Sequence, residues 1–252
     1  MKVHVKTRDE IERMREACRL TAEIRDICAA AVAPGMTTAD IDDLVIDFCA
    51  RKSVKASFYN YCGYPGHICV SLNDEVIHGI PSGAVIVQPG DLVKVDVGIC
   101  KGGFNGDTAR TVAVGVSDPQ VLRLVETTKR ALYAGVAAAG PGVHLGDVGA
   151  AIQEVVEAEG FSVVRDYIGH GVGRSIHEDP PVANYGMRGK GFVLKPGMTI
   201  AIEPMVNMGG HGVSVLEDEW TVVTDDGLPS AHFEHTVAIT DDGAEILTLP
   251  AY

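Results

Sequence analysis

The chain has 252 residues, 46% of them hydrophobic and 22% charged, values typical of a globular protein that can bury a substantial core. Its formal net charge of −13 argues against general nucleic-acid binding, because no basic field is available to displace counterions from phosphates. No apolar run reaches transmembrane length and the N-terminus is too charged for a signal peptide, so we expect a cytoplasmic protein without a membrane partner. The six cysteines lack CxxC spacing, which favours reduced thiols over disulfides or a structural zinc site.

Apolar residues at helical spacing alternate with glycine-rich and strand-like segments along the chain. The predicted elements are, in order, helices over 9–33 and 38–51, a strand over 68–72, a β-hairpin over 93–116 and a helix over 119–139. Pro34-Gly35 ends the first helix, and Thr37 or Thr38 can cap the second. Gly140-Pro141-Gly142 ends the helix that follows the hairpin.

The β-hairpin carries two carboxylates in an unusual setting. Asp96 lies within an apolar strand, and Asp107 is placed at the start of the second strand, after a turn formed by KGGFNG. A carboxylate inside an apolar strand is costly unless it is paired or bound to a metal, so the two suggest a shared cation. A solvent-facing Asp96 and a turn-capping Asp107 explain the hairpin equally well, and the hairpin alone does not decide between these interpretations.

The chain repeats itself at an offset of 107 residues. APGMTTADIDDLV at residue 33 resembles GPGVHLGDVGAAI at residue 140, and QPGDLVKVD at residue 88 resembles KPGMTIAIE at residue 195. The second alignment places Asp96 over Glu203. Such a repeat predicts two pseudo-symmetric halves, about 1–116 and 117–252, with a site between them. No linker separates the halves, so we expect a single domain over residues 1–252.

The second half adds an imidazole and two further carboxylates. His170 lies in the glycine-rich GHGVGR, Glu203 in a strand ended by Pro204, and Glu234 at the start of a terminal strand. Four carboxylates cannot pack together unless a positive charge lies among them or they take up protons. Oxygen-rich ligation with one nitrogen and no thiolate suits divalent Mn, Fe, Co or Zn. Five such residues can hold two metal ions, which indicates hydrolysis by an activated water.

The combination D-x10-D, GHGVGR-x2-H, IEP and FEHT resembles type I methionine aminopeptidase, and the resemblance covers essentially the whole chain. It implies the pita-bread fold, an α/β fold of the α+β type in which helices back a curved antiparallel sheet with internal pseudo-two-fold symmetry. It also implies a dimetal hydrolase that removes the initiator methionine from nascent proteins and peptides whose second residue is small. The expected partners are nascent polypeptide N-termini and the ribosome near its exit tunnel, and the expected state is a monomer.

The resemblance assigns a role to each residue of the ligand set. Asp96 would chelate one metal ion, Asp107 and Glu234 would bridge both ions, and His170 and Glu203 would bind the second. Glu203 is also the expected acceptor of a proton from the attacking water. The family has in addition a monovalent-cation site built from backbone carbonyls near Lys94, Val97 and Ser230.

Two further histidines and an apolar pocket complete the expected site. His78 would contact the substrate near the scissile amide, and His177 would hydrogen-bond the scissile carbonyl oxygen and stabilise the tetrahedral intermediate. The resemblance implies a methionine pocket lined by Phe58, Tyr61, Tyr64, Cys69, Ile176 and Trp220. Phe58 and Ile176 depart from a familiar member of the family but keep the pocket apolar. Five other histidines are interpreted as structural or solvent-exposed: His4, His67, His144, His211 and His232. His235, next to Glu234, is interpreted as a residue that would support that ligand.

Two alternatives share the same fold. A proline-type peptidase usually carries a separate N-terminal domain and uses a different pattern of histidines, whereas this chain begins almost directly with the first helix of the repeat. A non-catalytic module that binds peptides or proteins would have lost metal ligands, whereas all five are present here together with His78 and His177. The residues of the site therefore favour the aminopeptidase, which the fold alone would not justify.

Overall fold

The computed structural model describes residues 2–249, which form four α-helices, one short 3-10 helix and fifteen strands. The helices are α1 (Arg8–Ala31), α2 (Thr38–Lys52), α3 (Pro119–Ala138) and α4 (Leu145–Ala158), and the 3-10 helix is Tyr61–Gly63. The strands of the first half are β1 (Lys55–Ala56), β2 (Cys69–Leu72), β3 (Glu75–Ile77), β4 (Leu92–Lys101) and β5 (Phe104–Ala113). Those of the second half are β6 (Ser162–Val163), β7 (Gly169–Gly171), β8 (Glu178–Val182), β9 (Thr199–Ile202), β10 (Met205–Asn207), β11 (Val213–Val215), β12 (Val222–Thr224), β13 (Ser230–His232), β14 (His235–Thr240) and β15 (Gly243–Ile246).

The helices begin where the sequence offers capping residues. Thr7 and Thr37 form capping boxes with Glu10 and Asp40, which satisfy otherwise unpaired amides in the first turns of α1 and α2. Asp118 caps α3, in which proline occupies the first position. The predicted helices are confirmed, with ends that differ by one or two residues from those expected.

The strands pair antiparallel throughout the described residues and form one sheet in each half with two small sheets beside them. In the first half β4 lies at the centre and pairs with β1, β2 and β5. In the second half the order is β15-β14-β9-β7-β8. The two three-stranded sheets, β13-β10-β6 and β11-β12-β3, lie beside them. This helix-backed antiparallel architecture agrees with the predicted fold class.

The β-hairpin differs in one respect from the prediction. Its turn is only Gly102-Gly103, with φ angles of 60° and 80°, because Lys101 already pairs with Phe104. A two-residue turn with two positive φ angles matches the twist of antiparallel strands and is readily adopted by glycine. Asp107 therefore lies inside β5 opposite Gly98 rather than at the start of the strand.

The repeat is visible in the backbone as well as in the sequence. An isolated β-bridge joins Thr37 to Ile86, and a second joins His144 to Val193, each residue shifted by 107 from its counterpart. Matching hydrogen bonds lie beside the two bridges, from Gly35 N to Val87 O and from Gly142 N to Leu194 O, both at 2.9 Å. The two halves thus share local geometry at the start of α2 and of α4.

Each half has its own apolar core between helices and sheet. One core packs α1 and α2 against β4, with Ile24, Ile41 and Val95 fully buried. The other packs α3 and α4 against β9, with Leu124 and Ile152 fully buried. Within residues 2–249 no helix has both the length and the hydropathy needed to cross a bilayer.

Candidate active site

A cavity between the two halves collects nearly all the residues that the sequence predicts for the site. It is lined by Phe58, Tyr61, Tyr64, Cys69, His78, Asp96, Asp107, His170, His177, Glu203, Trp220 and Glu234. The remaining predicted residue, Ile176, is buried in one apolar cluster with Phe58, Tyr64 and Cys69. Ligand sites commonly lie at such junctions, where polar groups converge at one end of an apolar cavity.

The β-hairpin directs its two carboxylates to one face of the sheet. Asp96 in β4 lies opposite Ala109, and Asp107 in β5 lies opposite Gly98. Because side chains two apart on a strand share a face, Asp96 and Asp107 are diagonal neighbours on the same side. The sheet geometry therefore favours the shared-cation interpretation over a solvent-facing Asp96, and both residues are buried.

Glu234 is held against the hairpin by hydrogen bonds from β5. Its amide N donates to Ala109 O at 3.0 Å, and its carbonyl O accepts from Thr108 Oγ1 at 2.7 Å. Ligand atoms of Asp107, His170 and Glu234 lie within 4.8 Å of one another, a spacing suited to a metal ion. His170 and Glu234 from the second half thus lie next to Asp107 from the first.

His170 presents an unprotonated ring nitrogen to two carboxylates. Its Nδ1 lies 2.9 Å from Gly171 O, which favours the tautomer protonated at Nδ1. Its Nε2 lies 3.3 Å from Glu203 Oε1 and 3.7 Å from Asp107 Oδ2. Burial lowers the pKa of His170 to about 3, so the ring is neutral and its lone pair faces acceptor oxygens. That arrangement needs a proton or a cation between the groups.

The four carboxylates show the same deficit of positive charge. One buried oxygen on each of Asp96, Asp107, Glu203 and Glu234 has no hydrogen-bond partner. Burial raises the pKa of Asp96 to about 7. Burial and repulsion from neighbouring carboxylates raise the pKa values of Asp107, Glu203 and Glu234 well above their usual range. This oxygen-rich set, completed by one imidazole, fits hard or borderline divalent ions.

His177 and His78 flank the carboxylates. The ring of His177 lies 4.2 Å from that of His170, and its Nδ1 lies 2.9 Å from the hydroxyl of Tyr61. His78 has a φ of 61°, an uncommon conformation for a residue with a side chain, and its ring stands edge-on to Trp220. Burial lowers the pKa of His78 to about 4, and partial desolvation also lowers the pKa of His177. Both rings are therefore neutral at pH 7.

The apolar end of the cavity is formed by packed aromatic rings. Tyr64 is buried, and its hydroxyl donates to Gly79 O at 2.9 Å while its ring meets Trp220 edge-on at 5.1 Å. Burial raises the pKa of the Cys69 thiol, which agrees with its interpretation as a wall residue rather than a nucleophile. Such a pocket suits a flexible, polarizable side chain with a sulfur atom.

The sequence interpretation missed His232. Its ring is 1% exposed, and Nε2 lies 3.7 Å from Glu203 Oε2, on the side of that carboxylate away from His170. Neither ring nitrogen has a hydrogen-bond partner. No local signal marked it, because His232 ends β13 before Glu234 and its contact with Glu203 joins segments that are distant in the sequence. The structure also adds Ile80 to the apolar cluster and Tyr167 edge-on to His78.

The Lys94 ammonium lies against a carbonyl of the predicted monovalent-cation site. The Lys94 ammonium donates to Ser230 O at 3.2 Å and to Asn73 O at 2.7 Å. Val97 lies further along β4, opposite Thr108. A carbonyl expected to ligate a free cation is therefore engaged by a lysine of the same chain.

Comparisons with known proteins agree with this geometry. The sequence pattern described as Metallopeptidase family M24 matches residues 12–241. Methionine aminopeptidase of Clostridium acetobutylicum is 47% identical over 245 residues, which cover 97% of this chain and 98% of that protein. Methionine aminopeptidase of Escherichia coli K12 is 45% identical over 250 residues, which cover 99% of this chain and 95% of that protein.

Solved structures extend the comparison to the fold. The crystal structure of methionine aminopeptidase from Thermotoga maritima superposes with a TM-score of 0.96 at 47% identity, covering 98% of this chain and 99% of that one. Prolidase from Pyrococcus furiosus superposes with a TM-score of 0.79 at 25% identity, and the match covers 98% of this chain but 66% of the prolidase. On sequence, coverage and fold together, the chain belongs to metallopeptidase family M24 and, within it, to the methionine aminopeptidases.

Proposed function

We propose that this enzyme removes the N-terminal methionine from proteins and peptides whose second residue is small. The observation that carries the proposal is the cavity itself, in which four buried carboxylates with unpaired oxygens and a neutral His170 adjoin an aromatic pocket. The carboxylate end suits a metal-assisted hydrolysis, and the apolar end suits a methionine side chain.

We assign the metal ligands to Asp96, Asp107, His170, Glu203 and Glu234. Their support is the proximity of the ligand atoms of three of them and the unpaired oxygens of the four carboxylates. Five ligands, of which Asp107 and Glu234 would be shared, would suit two divalent ions drawn from Co, Mn, Fe and Zn. When bound, such ions supply a nucleophilic water at neutral pH and polarise the scissile carbonyl.

The side chains around this set have separate tasks. Glu203 would take the proton of the attacking water, because its carboxylate lies in the cavity beside His170, at the end where the water would be held. His177 donates a hydrogen bond to the scissile carbonyl oxygen, since the Tyr61 hydroxyl can satisfy its other nitrogen. His78, between Tyr167 and Trp220, contacts the substrate beside the scissile amide.

The pocket fixes which end of the substrate enters. Phe58, Tyr61, Tyr64, Cys69, Ile176 and Trp220 surround the first side chain in the manner of a small core cluster. The second residue of the substrate lies between His78 and His177, near Tyr167, where a groove continues from the cavity. The rings of His78, Tyr167 and His177 leave little room there, which is a steric reason for a small second residue.

We further propose that the protein acts in the cytoplasm as a monomer, with a single catalytic domain over residues 1–252. Its substrates there are the N-termini of nascent chains, met near the exit tunnel of the ribosome. The activity named for the relatives at 45–47% identity over nearly their whole length supports the choice of substrate, and the other parts of this proposal follow from the family resemblance. The charge of −13 gives no reason to add a nucleic-acid partner.

The test is an assay of the metal-free protein reconstituted separately with Co²⁺, Mn²⁺, Fe²⁺ or Zn²⁺ under anaerobic conditions. Its substrates are Met-X-Ser peptides with X running from Gly through Ala, Ser and Val to Leu. We expect release of methionine that needs metal and falls steeply as X grows. Calorimetric titration of the same protein counts the ions bound.

The two alternatives predict different results in that assay. A proline-type peptidase would cleave Ala-Pro and Met-Pro dipeptides faster than Met-Ala-Ser. A binding module would retain Met-Ala-Ser without cleaving it with any of the four metals. Either result would overturn the proposed function.

A further inference from the structure

Lys94 is a buried lysine at the junction between the two halves. It lies in β4 two residues before Asp96, so both side chains leave the same face of the strand. Only 1% of Lys94 is exposed. Its ammonium donates to Asn73 O at 2.7 Å, from the first half, and to Ser230 O at 3.2 Å, from β13 of the second half. Fully buried lysines are rare unless they are paired.

The carbonyls around this ammonium leave little capacity for a second cation. Asn73 O accepts from Ser230 N at 3.0 Å as well as from Lys94, so both of its lone pairs are engaged. A sodium or potassium ion at Ser230 O would lie beside a like charge in a poorly solvated site, where repulsion is strong.

Acidic side chains accompany this buried ammonium. Glu75, Asp74 and Asp91 interact electrostatically with Lys94 and offset part of the cost of burying its charge. Two carbonyl acceptors at the ammonium favour its charged form further. The lysine is therefore surrounded by groups of the kind that would otherwise attract a cation from solution.

We propose that the ammonium of Lys94 is a built-in substitute for the monovalent cation that the family resemblance implies, and that this chain needs no sodium or potassium ion. Lys94 is a positioning residue, because it touches neither the substrate nor the reacting atoms. Its hydrogen bonds connect β13 to β4. Glu234 follows shortly after β13, and Asp96 lies in β4. The inference concerns the fold at this junction and does not depend on which peptide the enzyme cleaves.

The test compares melting temperatures at pH 6.5 and constant ionic strength in sodium, potassium and choline chloride. The choline ion is too large for the site and controls for ionic strength. We expect the metal-free wild-type protein to melt at the same temperature in all three salts. Specific stabilisation of the wild-type protein by sodium or potassium would overturn the proposal, whatever the variants do.

The variant is Lys94→Asn, which removes the ammonium and frees the Ser230 carbonyl. We expect its Tm in choline to fall by about 5 °C, since two buried carbonyls lose a charged donor, and to recover in part in sodium or potassium. Lys55→Asn, at an exposed lysine of β1 in the same sheet, should do neither.

Two outcomes with the variant count against the proposal. A Lys94→Asn protein that is destabilised equally in all three salts would mean that the lysine takes no cation's place. A variant as stable as the wild-type protein in choline would mean that the tether is dispensable. If Lys94→Asn folds only in sodium or potassium, that is the expected dependence in its strongest form. If it folds in none of the salts, Lys94→Gln replaces it under the same criteria.

A direct measurement complements the melting curves. Broadening of the ²³Na magnetic resonance signal reports exchange of sodium with a protein site. We expect the metal-free wild-type protein to leave the line width unchanged and Lys94→Asn to broaden it, with potassium reversing the effect. Broadening by the wild-type protein that potassium reverses would overturn the proposal. These readouts use no peptide substrate, so failure of the proposed function would leave them intact.

Discussion

The hydroxyl of Thr236 is bonded to both backbone polar groups of Asp107: it accepts from the amide N at 3.0 Å and donates to the carbonyl O at 2.8 Å. The two residues lie in different halves of the chain, on β14 and β5, and both are buried. A single side chain thus replaces two ladder hydrogen bonds and sets where the Asp107 carboxylate stands relative to Glu234.

Thr236→Val should therefore make the position of Asp107 less fixed while every proposed metal ligand stays in place. The amide and carbonyl of Asp107 would be left unpaired in the interior, at a cost of about 1–3 kcal/mol in the free energy of unfolding. We expect chemical denaturation to show that loss and calorimetry to show weaker metal binding. Thr236→Ser keeps the hydroxyl and should behave nearly as the wild-type protein; equal losses in both variants would contradict this role.

Asp107→Ala should abolish metal binding at both proposed positions together with activity, because the shared ligand is lost. Binding is measured by calorimetry and activity by methionine release from Met-Ala-Ser. Asp43→Asn, at an exposed carboxylate on α2, is the control and should change neither. Turnover of the peptide by Asp107→Ala would refute the assignment of Asp107 as a bridging ligand.

His177→Ala should lower kcat by about a hundredfold or more while metal affinity stays within a few-fold of wild type, since a donor to the developing oxyanion is removed. Tyr61→Phe keeps the ring of Tyr61 but removes the hydroxyl beside His177 Nδ1, and should lower kcat to a smaller extent. Unchanged kcat in His177→Ala, or loss of metal, would exclude the proposed role.

Gly98→Ala should narrow the proposed methionine pocket, because Gly98 lies against two residues that line it. A Cβ on Gly98 would lie 3.0 Å from the Phe58 ring and 3.2 Å from Ile176 Cδ1, closer than ordinary contacts allow. We expect KM for Met-Ala-Ser to rise about tenfold, which corresponds to roughly 1.4 kcal/mol of overpacking. Gly83→Ala, where an added Cβ meets no neighbouring atom, is the matched control. An unchanged KM in Gly98→Ala would place the substrate elsewhere.

Metal binding should release protons and strengthen as the pH rises. The metal-free folded protein holds Asp96 with a pKa of about 7, far above that of an unfolded aspartate, so it binds more protons than the unfolded chain between about pH 4 and pH 7. Its stability therefore falls as pH rises through that window, and a metal must displace the protons. Calorimetry in two buffers of different ionisation enthalpy should find greater proton release at pH 6 than at pH 8. Equal release at both would contradict the raised pKa.

The helices and the repeat could be predicted from the sequence, because the residues that determine them are close together in the chain. Thr37, the Pro-Gly pairs and the apolar spacing are legible without a partner, and the bridges at Thr37 and His144 confirm the offset of 107. The turn of the β-hairpin was predicted too long, because glycine content alone does not state where pairing resumes. Beyond the turn, β5 lies against α1, so close at Gly106 that a Cβ there would meet Cys18 Cα at 2.6 Å.

The carboxylates were recognisable because charge is rare inside apolar strands, and the resemblance supplied their grouping. The contacts of the His232 ring with Glu203 and of the Lys94 ammonium with Ser230 were not predicted, because both depend on how β13 packs against the rest of the fold. A histidine beside a strand and a lysine in an apolar strand have ordinary interpretations until the distances to Glu203 and Ser230 are known. Long-range contacts of single side chains leave no periodic signal in the sequence.

The division of the site between the halves bears on how the protein matures. Asp96 and Asp107 leave the ribosome well before His170, Glu203 and Glu234, and the proposed ligand set closes only when the strand leading to Glu234 docks on β5. Until then only two of the proposed ligands are in place, and neither is an imidazole. Tight metal binding by this chain therefore requires that the second half has already folded onto the first.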